Sequence, residues 1–244
     1  PPLMILHGLF GQAKNWGGIV KSLTDQFTVH ALDLRNHGQS PRSDIMTYEA
    51  MAADIAHYID VHDLDAPVIL GHSMGGKAAM LAALNHGNQI NRLIVADIAP
   101  VAYDHEFGVH FDALEAIDLA ALASRQDADK TMASMIKDPG VRAFLLSNLM
   151  RDRDDGWRWA MNHTVLRAAM DEITGWPDTS DLTFDRPVLF LHGAKSDYVT
   201  GDMKAVISAL FPQAEYDAID DAGHWLHADQ PKAFTERCLA FLAP

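Results

Sequence analysis

The run Gly71-His72-Ser73-Met74-Gly75-Gly76 sets a serine between glycines in the pattern G-x-S-x-G, after an apolar run at 68–70 and at the start of a helix-forming run. Glycines there let the chain turn sharply and let strand and helix approach closely, which thrusts the serine into the open. A serine hydroxyl is a weak nucleophile at neutral pH, so a base must take its proton and an acid must orient that base. Among 13 histidines, His224 in Asp221-Ala222-Gly223-His224-Trp225 follows a strand-like run near the end of the sequence. The chain order serine, acid, histidine places the base there. Two aspartates qualify as the acid: Asp97 ends the run at 93–96, and Asp197 lies beyond the run at 188–191. Order alone does not separate them. The glycine-rich run His7-Gly8-Leu9-Phe10-Gly11 supplies a loop whose Leu9 amide, together with the Met74 amide, can receive an oxyanion.

Competing readings of these residues are weaker. Lys77 follows a glycine pair, but the spacing does not fit a phosphate-binding loop, and Ala78 stands where that loop needs Ser or Thr. His224 and His227 form an H-x-x-H pair with no evident third ligand, so no metal is expected. The tryptophans Trp157, Trp159 and Trp176 read as core of their own segment, and Phe10, Trp157 and Trp225 are candidate walls of an apolar acyl site.

These residues need a scaffold that brings loops together. Short buried strands are expected at 3–6, 28–32, 68–70, 93–96, 188–193 and 215–219, with helices at 16–23, 48–59, 73–86, 203–210 and 231–242 between or after them. Such alternation predicts a mostly parallel sheet flanked by helices on both faces, with the chemistry in loops at the carboxyl ends of the strands. From 101 to 180 no strong strand run appears. Helical spacing dominates there, in Leu114 with Ile117 and Leu122, Met132 with Ile136, Phe144 with Leu145 and Leu149, and Leu166 with Met170. The expected organisation is therefore a core of residues 1–100 and 181–244 carrying a helical cap at 101–180.

Composition narrows the function. The 244 residues are 48% apolar and 21% charged, the usage of an ordinary globular chain of one or two domains. With 19 basic against 33 acidic side chains, a net charge of -14 disfavours nucleic acid and anionic membrane surfaces as partners. Cys238 is the single cysteine, so no intrachain disulfide forms; it reads as core filler, and a reducing compartment fits. No apolar run approaches the ~18 residues of a membrane span.

Taken together, the runs at 7–11, 33–41, 71–77, 97–100 and 222–228 resemble the α/β-hydrolase superfamily and, within it, the bacterial YbfF-type esterases. The resemblance covers essentially the whole chain. It implies an α/β-hydrolase fold and a cytoplasmic serine esterase or thioesterase acting on small-molecule acyl esters or acyl-CoA, without metal or organic cofactor. It also implies Asp97 as the acid. In many other members the acid stands three residues after the glycine closing the next core strand, which is Ser196 here, and Asp197 is displaced from that position by one. The same comparison implies that the first strand here is the third of the superfamily, with an edge left open. The polar run at 33–41 is read as a structural loop in which Arg35 and Asn36 satisfy backbone groups, and Lys77 as support for the serine turn. Rival activities on the same triad are a cofactor-free haloperoxidase or perhydrolase and a carbon-carbon bond hydrolase; a non-catalytic binding protein is the remaining alternative. A haloalkane dehalogenase is disfavoured, since that chemistry needs a carboxylate where Ser73 stands. Oligomeric state has no readable signal.

Overall fold

A computed structural model describes residues 1–152 and 156–243. In chain order the core contains β1 (Pro2–Leu6), α1 (Gly17–Leu23), β2 (Thr28–Leu32), α2 (Tyr48–Val61), β3 (Val68–His72), α3 (Met74–His86) and β4 (Arg92–Ala96). An inserted segment follows with α4 (Gly108–Glu115), α5 (Arg125–Met132), α6 (Pro139–Leu146), β5 (Leu149–Asp152), β6 (Gly156–Trp159), α7 (His163–Ala168) and α8 (Met170–Thr174). The core then resumes with β7 (Val188–Gly193), α9 (Lys204–Leu210), β8 (Ala214–Ile219), α10 (Leu226–Asp229) and α11 (Pro231–Leu242).

Six parallel strands form the main sheet in the order β2-β1-β3-β4-β7-β8. The period of two along each strand sends successive side chains to opposite faces. Met4, Leu6, Ile69, Leu93, Val95 and Phe190 pack with α2, α3 and α9 through Met51, Ile55, Met80 and Ile207. Leu3, Ile5, Leu70, Ile94 and Leu191 pack with α1 and α11 through Ile19, Leu23, Phe234 and Cys238. Strand β3, covered on both faces, is buried along its whole length, whereas β2 and β8 at the edges are only half-buried. That difference explains why the central strands read as continuous apolar runs. Because β2 and β3 flank β1, the chain direction across the sheet reverses at β1, and the loops after β1 and β3 open side by side at the carboxyl edge.

The inserted segment departs from the all-helical expectation. Strands β5 and β6 form an antiparallel hairpin, pairing Leu149 with Trp159 and Arg151 with Trp157. Helix α4 ends at Glu115, so Ile117 and Leu122 pack from irregular chain rather than from its face; Ile136 and Leu149 likewise lie beyond the ends of α5 and α6. The apolar residues are in the core as expected, but tertiary packing replaces helical continuity.

Close approach at the serine turn requires glycine. A Cβ on Gly71 would lie 2.3 Å from the Gly75 carbonyl oxygen, and one on Gly75 would lie 2.5 Å from the His7 oxygen and 2.6 Å from that of Leu6. Both obstacles are backbone atoms, which cannot swing aside. Gly71→Ala is therefore expected to destabilise the protein by about 1–3 kcal/mol or more. Urea denaturation checks this, and a midpoint equal to that of the parent protein would contradict the packing argument.

Candidate active site

Ser73 stands between β3 and α3 with φ 52° and ψ -122°, a strained conformation for a residue with a side chain. Two bonds hold the turn: the Ser73 amide donates to the Ala96 carbonyl at 3.1 Å, and the Lys77 amide donates to the Ser73 carbonyl at 3.0 Å. The hydroxyl is 3.0 Å from His224 Nε2, and His224 Nδ1 is 2.8 Å from Asp97 Oδ2. An ionised Asp97 accepts from Nδ1–H, which leaves Nε2 to accept the serine proton.

Asp97 is fully buried just beyond β4, at φ 54°. Its Oδ1 accepts the Gly193 amide at 3.0 Å, and its Oδ2 also accepts the Ser196 hydroxyl at 2.5 Å. Asp197 is exposed, one position past a tight turn in which the Ser196 amide donates to the Gly193 carbonyl. The structure thus places Asp97 against the imidazole and sets Ser196 beneath it as a hydrogen-bond donor.

The loop carrying His224 is fastened from several directions. His72 Nε2 donates to the His224 carbonyl at 2.8 Å, the Gly223 amide donates to Asp229 at 2.8 Å, and the Lys195 amide donates to the Ala222 carbonyl at 2.9 Å. Tyr198 stacks on the imidazole with centroids 3.8 Å apart and planes 17° from parallel. The His224 side chain keeps 23% exposure, enough to meet a small molecule.

In the loop after β1, the Leu34 amide donates to His7 Nε2 at 3.0 Å, which fixes the His7 proton on Nδ1. Nδ1 donates to the Gly8 carbonyl at 2.8 Å, and the Gly11 amide donates to the same oxygen at 2.9 Å. The Gly8–Leu9 peptide is trans, so anchoring its carbonyl turns the Leu9 N–H to the opposite side. A Cβ on Gly8 would lie 3.1 Å from that of Ser73, which is how near the loop comes to the serine. Leu9 and Met74 both border the cavity at Ser73.

Other sequence expectations meet a mixed outcome. Phe10 and Trp225 line the cavity at Ser73, but Trp157 is on the hairpin beneath the Arg151 guanidinium and is not among the cavity walls. In the 33–41 loop both residues satisfy backbone groups as expected, Asn36 accepting the Ser43 amide and Arg35 donating to the Ile45 carbonyl at 2.9 Å, and Arg35 also forms a two-pronged ion pair with Asp54. Lys77 does more than support the turn: it is buried and donates to the Thr174 and Gly175 carbonyls of the inserted segment at 2.9 and 2.7 Å. Burial lowers its pKa to about 7. His227 stacks on Trp16 with centroids 4.1 Å apart, so its ring is committed to packing. Cys238 is buried in α11, and burial raises its thiol pKa. The roles of His72 and Ser196 were not inferred from sequence, although the first precedes Ser73 and the second occupies a position where related folds put an acid.

A family described as the alpha/beta hydrolase family matches residues 3–237. The sn-1-specific diacylglycerol lipase ABHD11 of Danio rerio is 37% identical over 251 residues, covering 100% of this chain and 78% of that protein. Esterase YbfF of Escherichia coli (strain K12) is 36% identical over 233 residues, covering 95% of this chain and 89% of the other. A solved marine microorganism esterase superposes with a TM-score of 0.95 at 39% identity, over 98% of this chain and 94% of its own.

Several buried or half-buried histidines surround the site, and desolvation lowers the pKa of His7 to about 4 and of His37 and His227 to about 3. Each stays neutral in the folded protein while the unfolded chain takes up protons below about pH 6.5. The unfolded state therefore binds more protons in the window from about 6.5 down to 3–4, and stability falls as pH falls through it, by up to about 1.4 kcal/mol per pH unit for each histidine. His227→Phe, which keeps an aromatic ring on Trp16, is expected to reduce that slope by about one proton in urea titrations between pH 6.5 and 4.5. An unchanged slope would remove His227 from the account.

Proposed function

The chain belongs to the alpha/beta hydrolase family, as an enzyme of the esterase and lipase type, and on that premise we propose that it is a serine carboxylic-ester hydrolase working through an acyl-enzyme. The observation that carries this reading is the unbroken hydrogen-bond chain from Ser73 Oγ through the His224 ring to buried Asp97. Residues 101–180 act as the cap that closes over the reacting atoms. Among the described residues no helix is long and apolar enough to cross a membrane.

Ser73 Oγ attacks the ester carbonyl carbon as His224 Nε2 takes its proton, and the carbonyl oxygen becomes an oxyanion held by the Leu9 and Met74 amides. Asp97 holds the imidazolium that forms. As the carbon–oxygen bond to the alcohol breaks, His224 returns its proton to the departing oxygen. Water then attacks the acyl-enzyme with His224 again as base, giving the free acid and Ser73. The substrate is a small-molecule acyl ester or thioester; no step requires a cofactor.

Hydrolysis of p-nitrophenyl acetate and butyrate tests the assignment. Ser73→Ala should reduce kcat to the residual level of binding and oxyanion stabilisation alone. Asp97→Asn should lower kcat by roughly 10³–10⁴-fold, since the amide no longer fixes the required tautomer. Asp197→Asn should have little effect, and Ser196→Ala should fall between, at roughly 10- to 150-fold, the worth of one hydrogen bond to a charged group. Full activity in Ser73→Ala would overturn the reading, and a greater loss in Asp197→Asn than in Asp97→Asn would reassign the acid.

A further inference from the structure

Two cavities meet at Ser73 and differ in size and chemistry. One, about 70 Å3, is walled by Phe10, Phe144 and Trp225, and His224 is part of its lining. It shares Phe144 and Trp225 with an open groove of about 520 Å3, and Trp225 keeps 36% exposure where the two join. The other, about 30 Å3, is bordered by Leu9 and Met74 and lined farther in by Lys77, Tyr103 and Ile173. His224 does not line it. Tyr198 does, and it covers one face of the imidazole by stacking.

This asymmetry bears on which half of an ester goes where. The departing oxygen must receive its proton from His224 Nε2, so the alcohol has to lie in the space that Nε2 faces. The acyl carbon bonded to Ser73 Oγ keeps its oxygen on the Leu9 and Met74 amides, so the acyl chain extends to the remaining side, past those residues and away from the imidazole. Resting on the serine-esterase reading, we propose that the small cavity lined by Lys77 takes the acyl group and that the open groove past Trp225, walled by Ile19, Phe144 and Pro231 with Asp138 and Asp229 at its margin, takes the alcohol, which selects esters of short acids with long alcohols.

Lys77 is the specificity-determining residue in this arrangement. Its Nζ donates to the Thr174 and Gly175 carbonyls, and it lies 4.9 Å from the Tyr103 ring centroid and 5.6 Å from that of Tyr48. A side chain held on two backbone carbonyls and two rings does not swing aside for a longer chain. The space of about 30 Å3 has room for roughly two or three water-sized groups, which suits an acetyl or propionyl chain. A longer chain would also drive methylenes against an amine whose hydrogen bonds it cannot replace.

Decyl acetate and ethyl decanoate are isomers that exchange the long and short halves, so overall hydrophobicity cannot decide between them. Wild-type enzyme is expected to hydrolyse decyl acetate with a kcat/KM roughly tenfold or more above that for ethyl decanoate, the discrimination that surplus methylenes in a small pocket can deliver. Lys77→Met should narrow the ratio by raising the relative rate on ethyl decanoate. Ile173→Ala enlarges the same cavity with the Lys77 bonds intact and should narrow it too, which keeps the test valid if the lysine variant fails to fold. Comparable rates on the two isomers in the wild type, absence of turnover on both included, or a preference for ethyl decanoate overturns the proposal. With p-nitrophenyl acetate still hydrolysed and Ser73 labelled by a fluorophosphonate, only the allocation of the cavities has failed. Loss of both signals means that the esterase reading has failed with it.

Discussion

A carboxylate with no exposed surface must have its lone pairs filled from within the protein, and Asp97 sets that requirement at the centre of this fold. Its donors are the Gly193 amide at the end of β7, the Ser196 hydroxyl in the loop beyond it, and the His224 ring in the loop after β8. Three separate stretches of chain must converge for one charge to be tolerated. The parallel register makes this possible, because Ala96 pairs with Leu191 and His192 with Ala218, so β4, β7 and β8 end near the same level. The bond that orients the base is one of those that stabilise the buried acid, so assembly of the site and stability of the core are a single problem.

The surroundings of His224 follow the same electrostatic logic. His72 and His224 have ring centroids 4.8 Å apart, and His72 and His227 are separated by 4.7 Å. A positive charge at such a distance would oppose protonation of His224 by about 3 kcal/mol at an effective dielectric constant near 20. Burial lowers the pKa of both His72 and His227, so they remain neutral and can hydrogen-bond or pack without that penalty. Lys77, also buried, is on the far side of Ser73 and faces two carbonyls and two tyrosine rings. Cationic groups are thus kept off the imidazole that becomes cationic in the proposed reaction.

Much of this was legible in the residues because parallel strands covered on both faces are written as apolar runs, and Ile69, Leu70, Ile94 and Val95 could hardly be read otherwise. Ser73 and His224 were legible because glycine spacing and chain order constrain them. The hairpin was not: β5 and β6 each have four residues, and Arg151 and Arg158 interrupt any apolar run. Leu114 and Ile117 show why helical spacing misled, since both are buried although the helix stops between them. Burial selects apolar residues whether or not the backbone between them is regular. The reach of Lys77 into the inserted segment was equally hidden, because its partners are backbone carbonyls at 174 and 175, about which side-chain chemistry says nothing.

The choice between Asp97 and Asp197 shows what order along a chain leaves undecided. Strands β4 and β7 are hydrogen-bonded neighbours, so a carboxylate on the loop after either one can approach the same imidazole, and sequence order serves both equally. The deciding quantity is the surroundings of each carboxylate. At the β4 position the side chain is fully buried and finds an amide, a hydroxyl and the ring. At the β7 position the chain presents Ser196, a donor, and a second carboxylate there would repel the first where Ser196 now supplies a proton. An acid in one loop and a donor in the other are therefore coupled choices. Moving the aspartate to the neighbouring strand would require removing it from β4 and giving up the donor at 196, a paired exchange rather than a single substitution.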